Sequence, residues 1–163
     1  MSKIGFIPSG TVTSPEGFLA GAVAAGIKRG STKLDLGILF SEAPCDAVAV
    51  FTTNRIKAAP VVLSQQRLRS GRATAIVLNS GCANAVTGKQ GFADAVKMTE
   101  LVAQGLGVAT EDVLVASTGV IGVRLPMARI KPRLEQIVLS RKGGHDLELA
   151  MMTTDTVPKE VAA

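Results

Sequence analysis

The chain has 163 residues, 47% of them hydrophobic and 19% charged, a balance that suits one folded domain with a sizeable core and excludes a disordered segment. It carries no Trp or Tyr and only five Phe, so it lacks the stacking platforms of a single-strand nucleic-acid binder. The formal charge of +5 is scattered rather than gathered into a basic run, which fits a surface that attracts small anions or one half of a larger assembly.

In chain order, residues 1–16 are rich in Gly, Ser, Thr and Pro and predict an irregular or edge-strand entry. The Gly/Ala-rich run from Gly17 to Ile27 is too short to span a bilayer, and Pro15-Glu16 precede it where a signal would carry basic charge, so a soluble, cytoplasmic protein with no membrane partner is expected. Leu34–Phe40 and Asp46–Thr52 read as two strands around the turn Glu42-Ala-Pro-Cys45, a hairpin. Pro60–Ser64 predicts a short strand and Gln65–Ser70 a short polar helix ended by Gly71. Ala73–Asn79 is an apolar strand, and Ser80–Gly91 a loop.

A helix is expected over Gln90–Gln104, where Phe92, Ala95, Val96, Thr99, Val102, Ala103 and Leu106 share one stripe. Asp94, Lys97 and Glu100 fall off that stripe and should face water, and Gly105 and Gly107 supply the stop. Val113–Ala116 is a buried strand. A further helix after Pro126 carries Met127, Ile130, Leu134, Ile137 and Val138, with Pro132 placed to kink it or delay its start. Leu147–Met152 leads into Thr153-Thr-Asp-Thr156, a capped turn. Strands alternate with helices, and the hairpin makes the pairing mixed. The expected class is therefore α/β with a mixed sheet, in a single domain over residues 1–163.

The chemistry-bearing stretch is Val113-Leu-Val-Ala-Ser-Thr-Gly-Val-Ile-Gly122, in which an apolar strand runs into Ser117, Thr118 and Gly119. A small, polar, glycine-containing turn there would let backbone N–H groups approach a ligand and hold a developing oxyanion in acyl transfer. No base or nucleophile accompanies it in sequence. His145, the sole histidine, sits in a Gly-Gly-His-Asp stretch and reads as a solvated turn residue; without a Cys/His cluster no metal site is expected. Cys45 and Cys82 form no CxxC and are expected reduced, in or near the core. Gly81–Gln90 lies between strand and helix as a P-loop would. It carries Ala83 and Gln90, however, where that motif needs Gly and a magnesium-binding hydroxyl. It reads instead as a loop whose Asn79, Asn84 and Thr87 bond backbone groups.

Nine segments together resemble one family. They are Gly17-Phe-Leu-Ala20, Gly26-Ile-Lys28, Val50-Phe-Thr-Thr-Asn-Arg55, Lys57-Ala-Ala-Pro-Val61, Asn79-Ser-Gly-Cys-Ala-Asn84, Thr87-Gly88, Ala116-Ser-Thr-Gly-Val-Ile-Gly122, Leu125-Pro-Met127 and Met152-Thr-Thr-Asp-Thr-Val-Pro-Lys159. In order and over almost the whole chain, they are similar to the bifunctional ornithine/glutamate N-acetyltransferases of arginine biosynthesis. Such enzymes are made as one precursor that cuts itself before a threonine, which becomes the nucleophile of the second chain. The present chain resembles most of the first, or α, chain, ending before the cleavage segment.

The resemblance implies an N-terminal-nucleophile-like acyltransferase fold and acetyl transfer from N-acetylornithine to glutamate, with acetyl-coenzyme A a further candidate donor. It implies no metal or organic cofactor, and a β chain from the same precursor as partner in an α2β2-type assembly. It places the oxyanion hole on Thr118 and Gly119 and a substrate contact on Thr153, with Asn79, Asn84 and Asp155 as structural supports. A non-catalytic assembly subunit that only completes a partner chain is the rival expectation.

Overall fold

The computed structural model describes residues 4–163. Four strands, β1 (Phe18–Val23), β2 (Leu36–Asp46), β3 (Arg72–Cys82) and β4 (Val113–Val120), form one sheet in that spatial order. β1, β2 and β3 pair antiparallel, and β4 lies parallel to β3. Four helices surround the sheet: α1 (Ala59–Arg67), α2 (Gly88–Leu106), α3 (Met127–Leu134) and α4 (Gly144–Met151). The parallel pair needs a long crossover, and α2 supplies it. The mixed α/β class expected from the sequence holds.

The two sheet faces have separate cores. Leu36, Ile38, Ala75, Val77, Val113 and Val115 turn toward Leu63 of α1, Ala95, Met98 and Val102 of α2, and Ile130 and Leu134 of α3. On the other face Ala20 and Leu78 meet Leu147 and Ala150 of α4. Leu36, Met98 and Ile130 are fully buried, each contributing about 1.5–3 kcal/mol by leaving water.

The expected hairpin does not form. β2 runs straight through Glu42–Cys45 to Asp46, its register shifting between Phe40 and Cys45, and residues 47–52 are not a strand. Val48 and Val50, which carried the alternating pattern, are 95% and 99% exposed. Their period is local, but a strand also needs a neighbour, and β1 and β3 already occupy both sides of β2. β1 comes from the Gly/Ala-rich run, whose small residues allow close packing. A Cβ at Gly21 would stand 2.9 Å from the Ile137 side chain.

Pro60–Ser64 is helix rather than strand. Pro60 sits in the first turn of α1, where its missing N–H costs nothing and its fixed φ favours the helix. The 3-10 turn Leu68–Ser70 follows and ends, as expected, at Gly71 with φ +72°. β3 continues to Cys82 and α2 begins at Gly88, so the expected loop shrinks to residues 83–87. Gly105 lies inside α2, and Gly107 alone, in the left-handed conformation, stops it. Asp94 does not face water. It is buried and accepts a hydrogen bond from Gln90 Nε2 at 2.8 Å, because the packed arc of α2 reaches round to Gly91 and Asp94.

α3 accommodates Pro132 and closes at Leu134, so Ile137 and Val138 lie beyond it; Ile137 packs on the core and Val138 is exposed. α4 starts at Gly144, which puts His145, expected in a turn, in a helical first turn. Among the described residues no helix is long and apolar enough to cross a membrane.

Candidate active site at the end of the fourth strand

Ser117, Thr118 and Gly119 were expected in a turn, but β4 carries them as strand, opposite Asn79, Ser80 and Gly81 of β3. The strand is buried over Val113–Val115 and then runs out to the surface. Pairing along β3 holds it in extended form: Ser117 Oγ donates to Asn79 Oδ1 at 2.6 Å, and Asn79 Nδ2 donates to the Cys82 carbonyl at 2.9 Å. Asn79 thus locks the two strand ends together. Gly119 has φ +127° and faces Gly81 at φ +99°, conformations that L side chains rarely adopt. A Cβ on Gly119 would stand 2.6 Å from the Cys82 nitrogen, and one on Gly81 2.8 Å from the Lys28 nitrogen. The facing glycines let three backbone segments converge.

Two further elements reach this point. Ser80 Oγ donates to the Ala150 carbonyl, fastening α4 over β3, so the chain leaving α4 delivers Thr153 and Thr154 beside the end of β4. The Thr153 N–H donates to Asp155 Oδ2 at 3.4 Å, and Lys159 holds the Asp155 carboxyl below the ordinary carboxylate range by a hydrogen bond, helped by the Thr153 N–H.

On the other side, fully buried Asp35 accepts the N–H groups of Ala25 at 2.6 Å, Ile27 at 2.6 Å and Lys28 at 3.0 Å, shaping the turn that presents Lys28. Lys28 Nζ donates to the Leu34 carbonyl at 2.8 Å. Burial pushes its pKa down, Asp35 opposes that shift, and Lys33 adds to it.

A cavity of about 390 Å³ results, lined by Thr118, Gly119 and Thr153 together with Lys28, Gly81, Val120 and Thr154. The adjacent pair Thr118-Gly119 and the distant Thr153, all singled out from sequence, therefore meet at one place. Lys28, Thr154 and Asp35 were missed. Lys28 lay within a matched segment, and Asp35 could have been noticed as a lone carboxylate at the head of an apolar strand.

The lining offers hydroxyls, an edge N–H and one ammonium, all suited to an anion, and no His, Cys, Asp or Glu to activate a nucleophile. Cys82 is buried, its Sγ donating to the Val123 carbonyl at 3.0 Å, and burial pushes its thiol pKa up, which makes it inert. Asn84 Nδ2 donates to the Gly91 carbonyl at 2.7 Å, the expected backbone role, whereas Thr87 donates to the Asn84 side chain instead of to backbone. Among the described residues no three His, Cys, Asp or Glu side chains gather as metal ligands would.

Mixed sheet, crossover helix and strand-end cavity together define an α/β protein of the N-terminal-nucleophile-like class. The ArgJ family model matches residues 19–163, and the chain belongs to the ArgJ family. It is 51% identical over 162 residues to the arginine biosynthesis bifunctional protein ArgJ of Dehalococcoides mccartyi, covering 99% of this chain and 40% of that protein. The chain thus spans about 40% of the length of the curated relatives it matches. Among solved structures, ornithine acetyltransferase of Mycobacterium tuberculosis in complex with ornithine superposes with a TM-score of 0.91 at 44% identity, over 96% of this chain and 86% of that one. ArgJ of Bacillus halodurans superposes with a TM-score of 0.90 at 38% identity, over 96% and 82%.

Proposed function

We propose that this chain is the larger part of the α chain, one domain over residues 1–163, of a two-chain acetyltransferase of arginine biosynthesis. In that role it supplies the oxyanion hole and part of the substrate site. The observation that carries the reading is the convergence of Thr118, Gly119 and Thr153 on one cavity that has anion-stabilising donors and no nucleophile.

The names of the relatives support the pathway, and the ornithine bound to the M. tuberculosis enzyme supports an ornithine-type substrate. Lengths support two chains. This chain covers 86% of the solved M. tuberculosis polypeptide but 40% of the D. mccartyi relative, so the former is less than half as long as the latter. Two free cysteines fit a reducing, cytoplasmic setting.

In this mechanism the hydroxyl of an N-terminal threonine on the β chain attacks the acetyl carbonyl of N-acetylornithine. The threonine's own α-amino group, with a pKa of roughly 7.7–8.0, takes the proton. Negative charge developing on the carbonyl oxygen meets the Thr118 hydroxyl and the Gly119 N–H, and Lys28 adds a positive potential behind them. Collapse expels ornithine and leaves an acetyl-enzyme, which the glutamate amine attacks through a second tetrahedral state held by the same donors. Thr153 contacts the substrate beside the acetyl group. Neither half-reaction calls for a metal or organic cofactor, and acetyl-coenzyme A could load the same threonine.

Acetyl exchange between N-acetylornithine and glutamate tests the reading, measured on the chain alone and on the chain co-expressed with the C-terminal portion of the D. mccartyi relative. No exchange by the former and turnover by the latter is expected. Robust turnover by the lone chain, with complete enzyme excluded by mass spectrometry, would falsify it. A well-formed complex without exchange would favour a purely structural subunit.

A further inference from the structure

Lys28 also lines a second cavity, of about 500 Å³, which adjoins the catalytic one and shares Lys28, Gly81 and Val120 with it. Two chain segments make its walls. The turn braced by Asp35 brings Lys28 and Arg29, and the stretch between β4 and α3 brings Arg124, with Arg129 following in the first turn of α3. Arg129 Nη1 donates to the Gly26 carbonyl at 3.0 Å, which clamps the two walls together.

Four cationic side chains therefore meet at one cavity, and no Asp or Glu lines it. Among the described residues none of the four forms a salt bridge, and Asp35, behind the turn, is occupied by three backbone N–H groups. Lys28 and Arg129 each bond a backbone carbonyl, whereas the guanidiniums of Arg29 and Arg124 bond nothing in the protein among the described residues. Like charges gathered in a cleft repel one another and focus a positive potential on whatever enters. A single carboxylate cannot balance four cations. An oligophosphate can, since it packs several negative charges into a compact group whose oxygens match the fork of a guanidinium in pairs. The volume is that of a small-molecule site, and Val123 and Pro126 offer apolar surface to the carbon part of such a ligand.

We propose that Arg29, Arg124 and Arg129, with Lys28 at the junction, form an anion subsite for a small molecule that carries an oligophosphate group. Arg29 and Arg124 hold the phosphates from opposite walls, Arg129 fixes the spacing between those walls, and Lys28 faces both cavities. A ligand anchored there extends past Gly81 and Val120 toward Thr118 and Gly119. The subsite belongs wholly to this chain, and only its link to acyl transfer rests on the proposed function.

Inorganic pyrophosphate is the probe, titrated calorimetrically into the lone chain and into its complex with the D. mccartyi C-terminal portion, with citrate as a comparably charged carboxylate. Pyrophosphate should bind both preparations about tenfold more tightly than citrate. Arg29→Gln and Arg124→Gln remove guanidiniums that hold nothing in the fold. Each should weaken pyrophosphate by about tenfold, against at most about twofold for Lys142→Gln, an exposed cation outside the cavity. Acetyl-coenzyme A compared with its phosphate-free pantetheine thioester separates the sources of the phosphate. A preference for the former that Arg124→Gln removes assigns the subsite to the tail of an acyl donor, and pyrophosphate binding without that preference assigns it to a free oligophosphate. Equal affinity for citrate, or equal weakening by Arg124→Gln and Lys142→Gln, overturns the subsite. Binding by the lone chain that disappears in the complex overturns it too. Acetyl exchange without pyrophosphate binding overturns the subsite and spares the proposed function, and pyrophosphate binding in a complex without exchange does the reverse.

Discussion

Thr118 lines the cavity with its side chain exposed, and among the described residues its hydroxyl makes no hydrogen bond to the protein. A hydroxyl that merely tied the strand end together would be bonded, as that of Ser117 is, and its loss would cost about 1 kcal/mol of stability. Thr118→Ala should instead leave the melting temperature nearly unchanged. In the complete two-chain enzyme it should lower kcat by about 10²–10³ with little change in KM, since the interaction strengthens only as the oxyanion forms. Stability and turnover measured on the same mature variant decide between the roles, and normal kcat would remove Thr118 from the oxyanion hole. Asp35 acts one step further back. It does not itself line the cavity but holds three N–H groups, that of Lys28 among them, in the turn that places Lys28.

At the scale of elements, one side-chain pair holds α4 to the segment that follows it and a second braces that segment internally, and the two have opposite pH responses. His145, in the first turn of α4, meets Glu160 at 2.6 Å, and the hydrogen bond and charge of Glu160 raise the imidazole pKa. A raised folded-state pKa stabilises fully below the unfolded value of about 6.5 and is lost as pH climbs through the folded one. Asp155 is shifted down by Lys159, so its contribution is present above the unfolded value of about 3.9 and disappears as pH falls through the folded one. Residues 153–160 should therefore be held most firmly between about pH 4 and 6.5. The protection of this segment's amides, measured relative to their intrinsic base-catalysed exchange, should fall above neutrality in the native chain, and His145→Gln should abolish that pH dependence. Unchanged protection from pH 6 to 9 would show that the pair does not hold the segment. Because Thr153 begins this segment, loosening it also loosens one wall of the cavity.

For the whole molecule, the surface is as informative as the core. Val48, Val50 and Ile56 project from the segment between β2 and α1, and Val120 and Ile121 from the end of β4, all more than half exposed. Where such aliphatic groups join into a contiguous patch, they mark a surface that a partner covers. The lone 16.8-kDa chain is expected to self-associate or lose solubility in sedimentation runs, and to behave as a defined species once the C-terminal portion is present. A stable monomer at high concentration would mean that these residues are ordinary surface.

What could be read from residues alone was what depends on near neighbours. The stripe of α2, the apolar runs of β3 and β4, the stop after α2 and the mixed α/β class follow from periodicity and glycine placement, and these held. At Thr118 and Gly119 the residues alone said only that a small polar stretch follows a buried strand, a pattern found by chance in many loops, and the oxyanion-hole role rests on the family resemblance. Pairing was not legible. The choice of β1 rather than residues 46–52 as the partner of β2 depends on which segments reach each other in space, and Val48 alternates as well as any strand residue while remaining in water. The helical state of Pro60–Ser64 was decided by Leu63 and Ser64 packing beneath β4, against the β-branched pair Val61-Val62. Likewise, only tertiary structure could bring Thr153 from the end of α4 and Lys28 from an Asp35-braced turn to Gly119. Local sequence sets the conformation and chemistry of each short stretch, but their meeting is fixed by sheet order and by buried hydrogen bonds between residues far apart in the chain.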